Sequence, residues 1–500
     1  MAANVPQVVQ MTSPFPIRNT ILRSEMLRAS LFLFFITCWH NPWLGFLTAT
    51  PAADPDHPNI VMIMCDDLGW GDVGFNGNQQ IATPQLDRWA SQGLIFDRFY
   101  SAAPVCSPTR GSCLTGRHPY RYGVFNANRG HLKKEETTLA ELLRKSGYAT
   151  GHFGKWHLGT LTTTVRESNR GGPRGRKHFA PPWEHGFDVC FSTEAKVPTW
   201  DPMQKPRKAS NKWWAPIPAD QAITYGTHYW NQRGTLVREN LRGDDSRVIV
   251  DRVLPFFDKH ANNSQPFFAV IWLHAPHLPV VSGKEYTDRY ANHSKYEQHY
   301  FGCITALDDQ MGRVQAALDR LKIADKTLVF FCADNGPEGS HGSAPGSAQP
   351  FRGRKRDLFE GGIRVPAFVV WPGQIGTHQR TEIPAVTSDY LPTIVDLLKL
   401  PHIDDRPLDG ISLAPLFQGK SIKRPTAIGF QSANQSAWVE DRYKLLRRGD
   451  HTFLFDLIQD PSESKDIAAD HTKLVNRMQR ELNQWIDSCR HSNQGGDYGS

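Results

Sequence analysis

Three short stretches of this chain concentrate residues able to do chemistry. Asp66-Asp67 and Asp334-Asn335 each follow a run of apolar residues. Carboxylates placed there cost free energy unless something positive compensates them. Two such pairs at equivalent strand ends could converge on one cation. An all-oxygen ligand set suits Ca2+ or Mg2+ and disfavours zinc. Taken singly, Asp-Asp is equally well read as a turn and Asp-Asn-Gly as a loop. The third stretch is Cys106-Ser107-Pro108-Thr109-Arg110. A cysteine beside a cation reads either as a low-pKa thiolate or as a half-buried thiol in a turn.

The elements that must position these residues are legible as hydrophobic pattern. Residues 59–65, 266–273, 327–332 and 367–371 are continuous apolar runs, as expected of strands buried on both faces. Shorter strands are expected over 96–100 and 148–153. Helical spacing covers 83–92 and 304–321, helix-like residues follow Cys106, and a helix over 138–143 has a Thr138 cap and Gly147 beyond its end. Strands alternating with helices predict a doubly wound α/β sheet, with ligands beyond the carboxyl ends of its strands. Residues 160–235 are basic, rich in Pro and Trp, and without clear period, and are expected to be an insertion over the sheet edge. Short alternating runs at 437–439 and 443–446, then an amphipathic helix over 472–486, predict a small α+β subdomain at 405–490. A flexible tail is expected over 491–500.

Composition narrows the class. The chain has 500 residues, 39% hydrophobic and 21% charged, as in a soluble globular protein. A formal charge of +7 would suit an anionic substrate, but no Arg/Lys tract of the nucleic-acid-binding kind is present. Arg23 and Arg28, the apolar run 31–36 and small residues at 49–53 predict a secretory signal peptide and leader over 1–53, with Met26 as the true start. The run is too short to span a membrane, so no stable membrane insertion is expected. The protein is therefore expected to be exported, periplasmic or secreted. Eight cysteines are too few for a disulfide scaffold. Removing Cys38 with the signal leaves seven, so at least one is unpaired.

The span from Cys106 to Arg117, Cys-x-Pro-x-Arg followed by Leu-Thr-Gly-Arg, resembles the signature of the type I, formylglycine-dependent sulfatases of the alkaline phosphatase superfamily, arylsulfatases among them. The resemblance extends in order through Asn59 to Trp70, Gly154-Lys155-Trp156-His157, Ala275-Pro276-His277, Ala333-Asp334-Asn335-Gly336, the segment around Lys355, and Tyr443-Lys444-Leu445. It implies an alkaline-phosphatase-like catalytic domain over 58–400, with a large, mostly parallel central sheet flanked by helices, and a C-terminal subdomain with an antiparallel sheet. It also implies that Cys106 is oxidised to formylglycine by a formylglycine-generating enzyme. The hydrated aldehyde would then attack the sulfur of a sulfate ester.

The same resemblance implies Asp66, Asp67, Asp334, Asn335 and residue 106 as ligands of Ca2+, or alternatively Mg2+. Arg110 would hold the diol, and Lys155 would bridge nucleophile and sulfate. His277 and Lys355 would bind sulfate and protonate the leaving alcohol, and His157 would take the proton that releases sulfate. Arg354 and Arg356 flank Lys355 where the family usually has small residues. His274 could share the role of His277, and Ser192 or Thr193 could touch sulfate. A sulfated carbohydrate is the expected substrate, with Trp200, Trp213, Trp214 and Trp230 either stacking on sugars or pinning loops. Arg170, Arg174, Arg176 and Lys177 either attract polyanions or form a solvated loop. A phosphodiester or phosphonate monoester hydrolase, or an inactive carbohydrate-binding relative, is the alternative.

Overall fold

The computed structural model describes residues 57–401 and 405–498. The expected signal peptide, with Arg23, Arg28 and Cys38, lies outside the described residues.

The central sheet is built from nine strands: β1 (Asn59–Cys65), β2 (Leu94–Phe96), β3 (Ala149–Lys155), β4 (Val189–Thr193), β5 (Trp230–Asn231), β6 (Phe267–Trp272), β7 (Thr327–Ala333), β8 (Ala367–Val370) and β9 (Gln379–Thr381). Their order is β9-β2-β8-β7-β1-β6-β3-β4-β5. The run β7-β1-β6-β3-β4 is parallel throughout. β1, β6 and β7 are buried along their whole length, as their unbroken apolar sequences require. Each large side chain so buried contributes about 1.5–3 kcal/mol. The sheet is thus mostly parallel, as expected. β8 is antiparallel to its neighbours because only the one-turn helix Glu360–Ile363 precedes it, and no crossover helix carries the chain back across the sheet.

Helix Asp245–Asn262 packs on β3, β6 and helix Lys295–Arg320, and helix Cys106–Thr115 packs with Leu139–Lys145 and Tyr390–Leu397. The Leu139–Lys145 helix carries the expected Thr138 cap, completed as a capping box by Glu141. Helix Lys295–Arg320 begins well before the expected residue 304, where Ser294 and Glu297 cap it. The expected strand over 96–100 is two, Leu94–Phe96 and Phe99–Tyr100, separated by a turn. The 160–235 segment does more than cover an edge. It contributes β4 and β5 to the central sheet, with Cys190 and Phe191 buried, although its apolar run is too short to stand out in sequence.

The C-terminal region forms a second, antiparallel sheet of β10 (Ile428–Ser432), β11 (Gln435–Val439), β12 (Tyr443–Arg448) and β13 (His451–Asp456). Helix Thr472–Asn493 lies against β11 and β12. Past its end, in the stretch expected to be a tail, Asp497 pairs with Arg117 at 2.6 Å and the Tyr498 hydroxyl donates to Glu136 at 2.6 Å. The seven described cysteines are all buried and unpaired. No helix among the described residues is long and apolar enough to cross a membrane.

Candidate active site

Strand register assembles the acidic cluster. β1 and β7 pair in parallel with Cys65 opposite Ala333, so the next residues, Asp66 and Asp334, emerge side by side at the carboxyl edge. The Asp67 amide donates to Asp334 Oδ1 at 3.1 Å, and Asn335 Nδ2 donates to Asp67 Oδ1 at 2.7 Å. All four side chains are buried. Asp67 has φ 64°, a left-handed conformation unusual outside glycine, which turns its carboxylate back toward the cluster.

Cations enter from three other segments. Lys155, the last residue of β3, donates to Asp66 Oδ2 at 2.6 Å. Gly154 must be glycine here, since its φ is 106° and a Cβ would strike the carbonyl of Trp272 on β6. Arg110 Nη2 donates to Asp334 Oδ2 at 2.6 Å and lies 3.7 Å from Asp66, while its Nη1 donates to the Lys155 carbonyl at 2.9 Å. Lys355 Nζ sits 2.7 and 2.9 Å from the two Asp67 oxygens. Arg354 and Arg356 do not displace it. Arg354 donates to the Glu338 carbonyl, and Arg356 pairs with the Glu338 carboxylate at 2.6 Å.

Burial tends to raise the Asp66 carboxyl, but Lys155, His277, Arg110 and Lys355 together hold it well below the usual range. Burial, with Asp66 beside it, pushes Asp334 up to about 7 against Arg110. Burial likewise raises Asp67 despite Lys355.

Cys106 is the first residue of its helix and is buried. Burial and then Asp66 push its thiol up to about 12, so of the two readings open from the sequence, a low-pKa thiolate and a half-buried thiol in a turn, the encoded cysteine is nearer the second. Arg110 faces Asp334 and Asp66 rather than serving the sulfur alone.

The two histidines have defined tautomers. His277 Nδ1 donates to the Leu278 carbonyl at 2.7 Å, which leaves Nε2 facing Asp67 at 3.5 Å. Asn128 Oδ1 accepts from Asn169 at 2.5 Å and from His157 Nε2 at 2.8 Å. His157 Nδ1 is therefore the unprotonated nitrogen, buried without a partner. Burial holds both rings well below the ordinary histidine range, in His157 with Lys155 next in effect.

A cavity of about 760 Å3 brings together Cys106, Lys155, His157, His277 and Lys355. His274 is not among its walls: both its nitrogens are engaged, by Asp245 at 2.8 Å and Thr193 at 2.8 Å, behind the site. Ser192 is likewise turned inward to His152 at 2.7 Å. Instead Lys196, three residues past β4, lines the cavity, and no sequence pattern singled it out. Its one signal is position, just beyond a buried strand on the same sheet edge. Of the four candidate tryptophans only Trp214 lines the cavity. Trp230 is buried on Glu167, and Trp213 stacks on His299.

The donor set fits a divalent cation. Ligand atoms of Asp66, Asp67, Cys106 and His277 lie within 4.8 Å of one another, and Asp66 Oδ1 and Asn335 Oδ1 are buried without hydrogen-bond partners. Hard oxygen donors left unsatisfied inside a protein are what Ca2+ or Mg2+ requires.

Three cations, Arg110, Lys155 and Lys355, pair with three carboxylates at the carboxyl ends of parallel strands and Lys196 lines the same cavity, which suits an α/β hydrolase of anionic esters. The chain belongs to the sulfatase family and is a sulfuric ester hydrolase. Residues 58–400 match the profile described as Sulfatase, and residues 353–488 match that described as N-sulphoglucosamine sulphohydrolase, C-terminal. It is 32% identical to the N-acetylgalactosamine-6-sulfatase of Mus musculus over 76% of this chain and 70% of that one. It is 34% identical to arylsulfatase A of Bos taurus over 78% and 73%. Among solved structures, Ps i-CgsB in complex with k-i-k-neocarrahexaose superposes with a TM-score of 0.73 at 26% identity, covering 86% of this chain and 92% of that one.

Proposed function

We propose that this protein hydrolyses sulfate esters of a sulfated glycan, using a formylglycine made from Cys106. The observation that carries the reading is the convergence of Lys155, His157, His277 and Lys355, from three separate segments, on the cavity lined by Cys106. Similarity to N-acetylgalactosamine-6-sulfatases supports a sulfated sugar as substrate. The same reading expects a formylglycine-generating enzyme to act on the chain, and the basic-apolar pattern at 1–53 supports export.

Asp66, Asp67, Asp334, Asn335 and residue 106 would hold Ca2+, or Mg2+, which when bound lowers the pKa of a hydroxyl and polarises the sulfate. A two-electron oxidation by the maturing enzyme's external oxidant, with the sulfur leaving as sulfide and water supplying the oxygen, would convert the cysteine to an aldehyde. Hydration then gives residue 106 two hydroxyls, one to attack the sulfur of the ester and one to expel sulfate. Lys155 and Lys355 place positive charge where the transferring group accumulates negative charge. An anionic sulfate ester beside His277 favours its imidazolium form, which would orient the ester and protonate the leaving alcohol from Nε2, since Nδ1 is committed to the Leu278 carbonyl. His157 Nδ1, held unprotonated by the Asn128 contact, takes the proton that releases sulfate. Arg110 fixes Asp334 and neutralises the cluster.

Purified protein tests the reading on para-nitrophenyl sulfate and on bis-para-nitrophenyl phosphate. A sulfate-to-phosphodiester ratio of kcat/KM well above one is expected, and a ratio below one sinks it. Reaction of the residue-106 peptide with a hydrazide probe checks for the aldehyde.

A further inference from the structure

The active-site cavity adjoins a second cavity of about 620 Å3, and Asn128, Ser168 and Asn169 line both. Hydrogen bonds tie the shared wall to the catalytic residues. Asn128 bonds His157 and Asn169, and buried Arg170 donates to the His157 carbonyl at 3.2 Å, to the Gly130 carbonyl at 2.6 Å and to Glu194 at 3.1 Å.

Charge in this wall is sorted by direction. Glu167 is turned inward, accepting from Trp230 Nε1 at 2.6 Å and from His228 Nδ1 at 2.6 Å, and Glu194 is fully buried against Arg170. Arg166, Arg174 and Lys177 are exposed, line the second cavity, and have no carboxylate partner among the described residues. Arg207 stands exposed in the same unpartnered state on the active-site cavity itself, and Lys205 lies over the Tyr225 ring at 5.8 Å. On the cavity rim the nearby acid, Glu338, is already taken up by Arg356 and Lys355. Exposed cations beside a site that handles one anion attract a second anionic group on the same molecule.

We propose that the second cavity is a subsite for an additional sulfate or carboxylate, borne on a neighbouring sugar of the substrate, so that the protein takes a polyanionic oligosaccharide. The inference rests on the sulfatase reading of the adjoining site. Arg166, Arg174 and Lys177 bind the second group, and Asn128 and Asn169 form the wall over which the sugar chain passes.

Equilibrium binding to the Cys106→Ala protein tests this without requiring turnover. Hexasaccharides from chondroitin sulfate, heparan sulfate and carrageenan are each compared with a monosulfated monosaccharide of the same series. At least one hexasaccharide should bind more tightly than its monosaccharide. Adding Arg166→Gln, Arg174→Gln and Lys177→Gln should weaken that hexasaccharide about tenfold and the monosaccharide less than about twofold, since exposed ion pairs contribute roughly 0.2–1 kcal/mol each. Retention of affinity by Arg174→Lys would assign the effect to charge. If no hexasaccharide outbinds its monosaccharide, or if the triple substitution leaves the gap unchanged, the subsite is disproved. Failure of the Cys106-bearing protein to cleave para-nitrophenyl sulfate would instead overturn the sulfatase reading, and the two failures are separable.

Discussion

Lys444 of the C-terminal sheet donates to Glu360 at 3.0 Å, and both side chains are fully buried. Glu360 lies five residues past Lys355 and also accepts from the Tyr100 hydroxyl at 2.9 Å, while Lys444 reaches Glu463 at 2.8 Å. The segment presenting Lys355 to the acidic cluster is therefore clamped by the second sheet. One lysine serves two glutamates: Glu360 is held below its ordinary range, whereas burial raises Glu463 to about 7.

Replacing Lys444 leaves Glu463 buried without its lysine and Glu360 with only the more distant Arg364, at 3.4 Å, among the described residues. Lys444→Met should destabilise the protein by about 3–5 kcal/mol, read as a lower denaturation midpoint. A loss below about 1 kcal/mol would show that the clamp is not structural.

Metal removal should affect both stability and activity. Chelation is expected to abolish turnover and lower the melting temperature, because a cation that binds only the folded state stabilises it and its removal withdraws that contribution. Restoring the cation at about a hundredfold excess over Kd should return about 2.7 kcal/mol. Unchanged melting after dialysis against chelator would count against the ligand set.

Lys155→Ala should reduce kcat by about 100- to 1,000-fold, as expected for loss of a charge that stabilises the transition state. His157→Ala should instead slow release of sulfate more than its transfer. A pre-steady-state burst of phenol in that variant distinguishes the roles, and its absence would reassign His157.

Acid stability should reflect the joint between helix Thr472–Asn493 and the catalytic region, where His118 packs on Trp485 and Arg121 pairs with Asp409 at 2.6 Å and donates to Ser488 at 2.8 Å. Burial holds His118 down to about 3, and Arg121 holds Asp409 down to about 2 against its burial. As pH falls below 6.5, the unfolded chain protonates His118 while the folded one resists, so stability falls down to about pH 3. Asp409 adds its own loss between 3.8 and about 2. The slope per group is at most about 1.4 kcal/mol per pH unit. Urea midpoints between pH 7 and 4 should therefore drop, and less so in His118→Gln. A flat profile in the parent protein would disprove the assignment.

Much of the site was legible before the fold. Long apolar runs ending in Asp66 and Asp334 are readable because both faces of a central parallel strand are buried, which leaves an unbroken pattern. Register then follows from pairing Cys65 with Ala333. β4 and β5 escaped notice because a few residues near a sheet edge leave no such pattern, and they sit in a segment otherwise rich in loops.

By itself, the sequence determined which residue types are available and in what order: the Cys106 pentapeptide, the two acidic pairs, and the strands ending at them. Tertiary structure alone decided which neighbours of those residues face the cavity. His277 does and His274 does not; Lys196 does, whereas Ser192 and Thr193 turn inward; Trp214 does and Trp230 is buried. The physical reason is that a loop leaving a strand can aim a side chain to either side. That choice is set by the buried partners waiting there, such as Asp245 for His274 and His152 for Ser192, which lie far away in sequence.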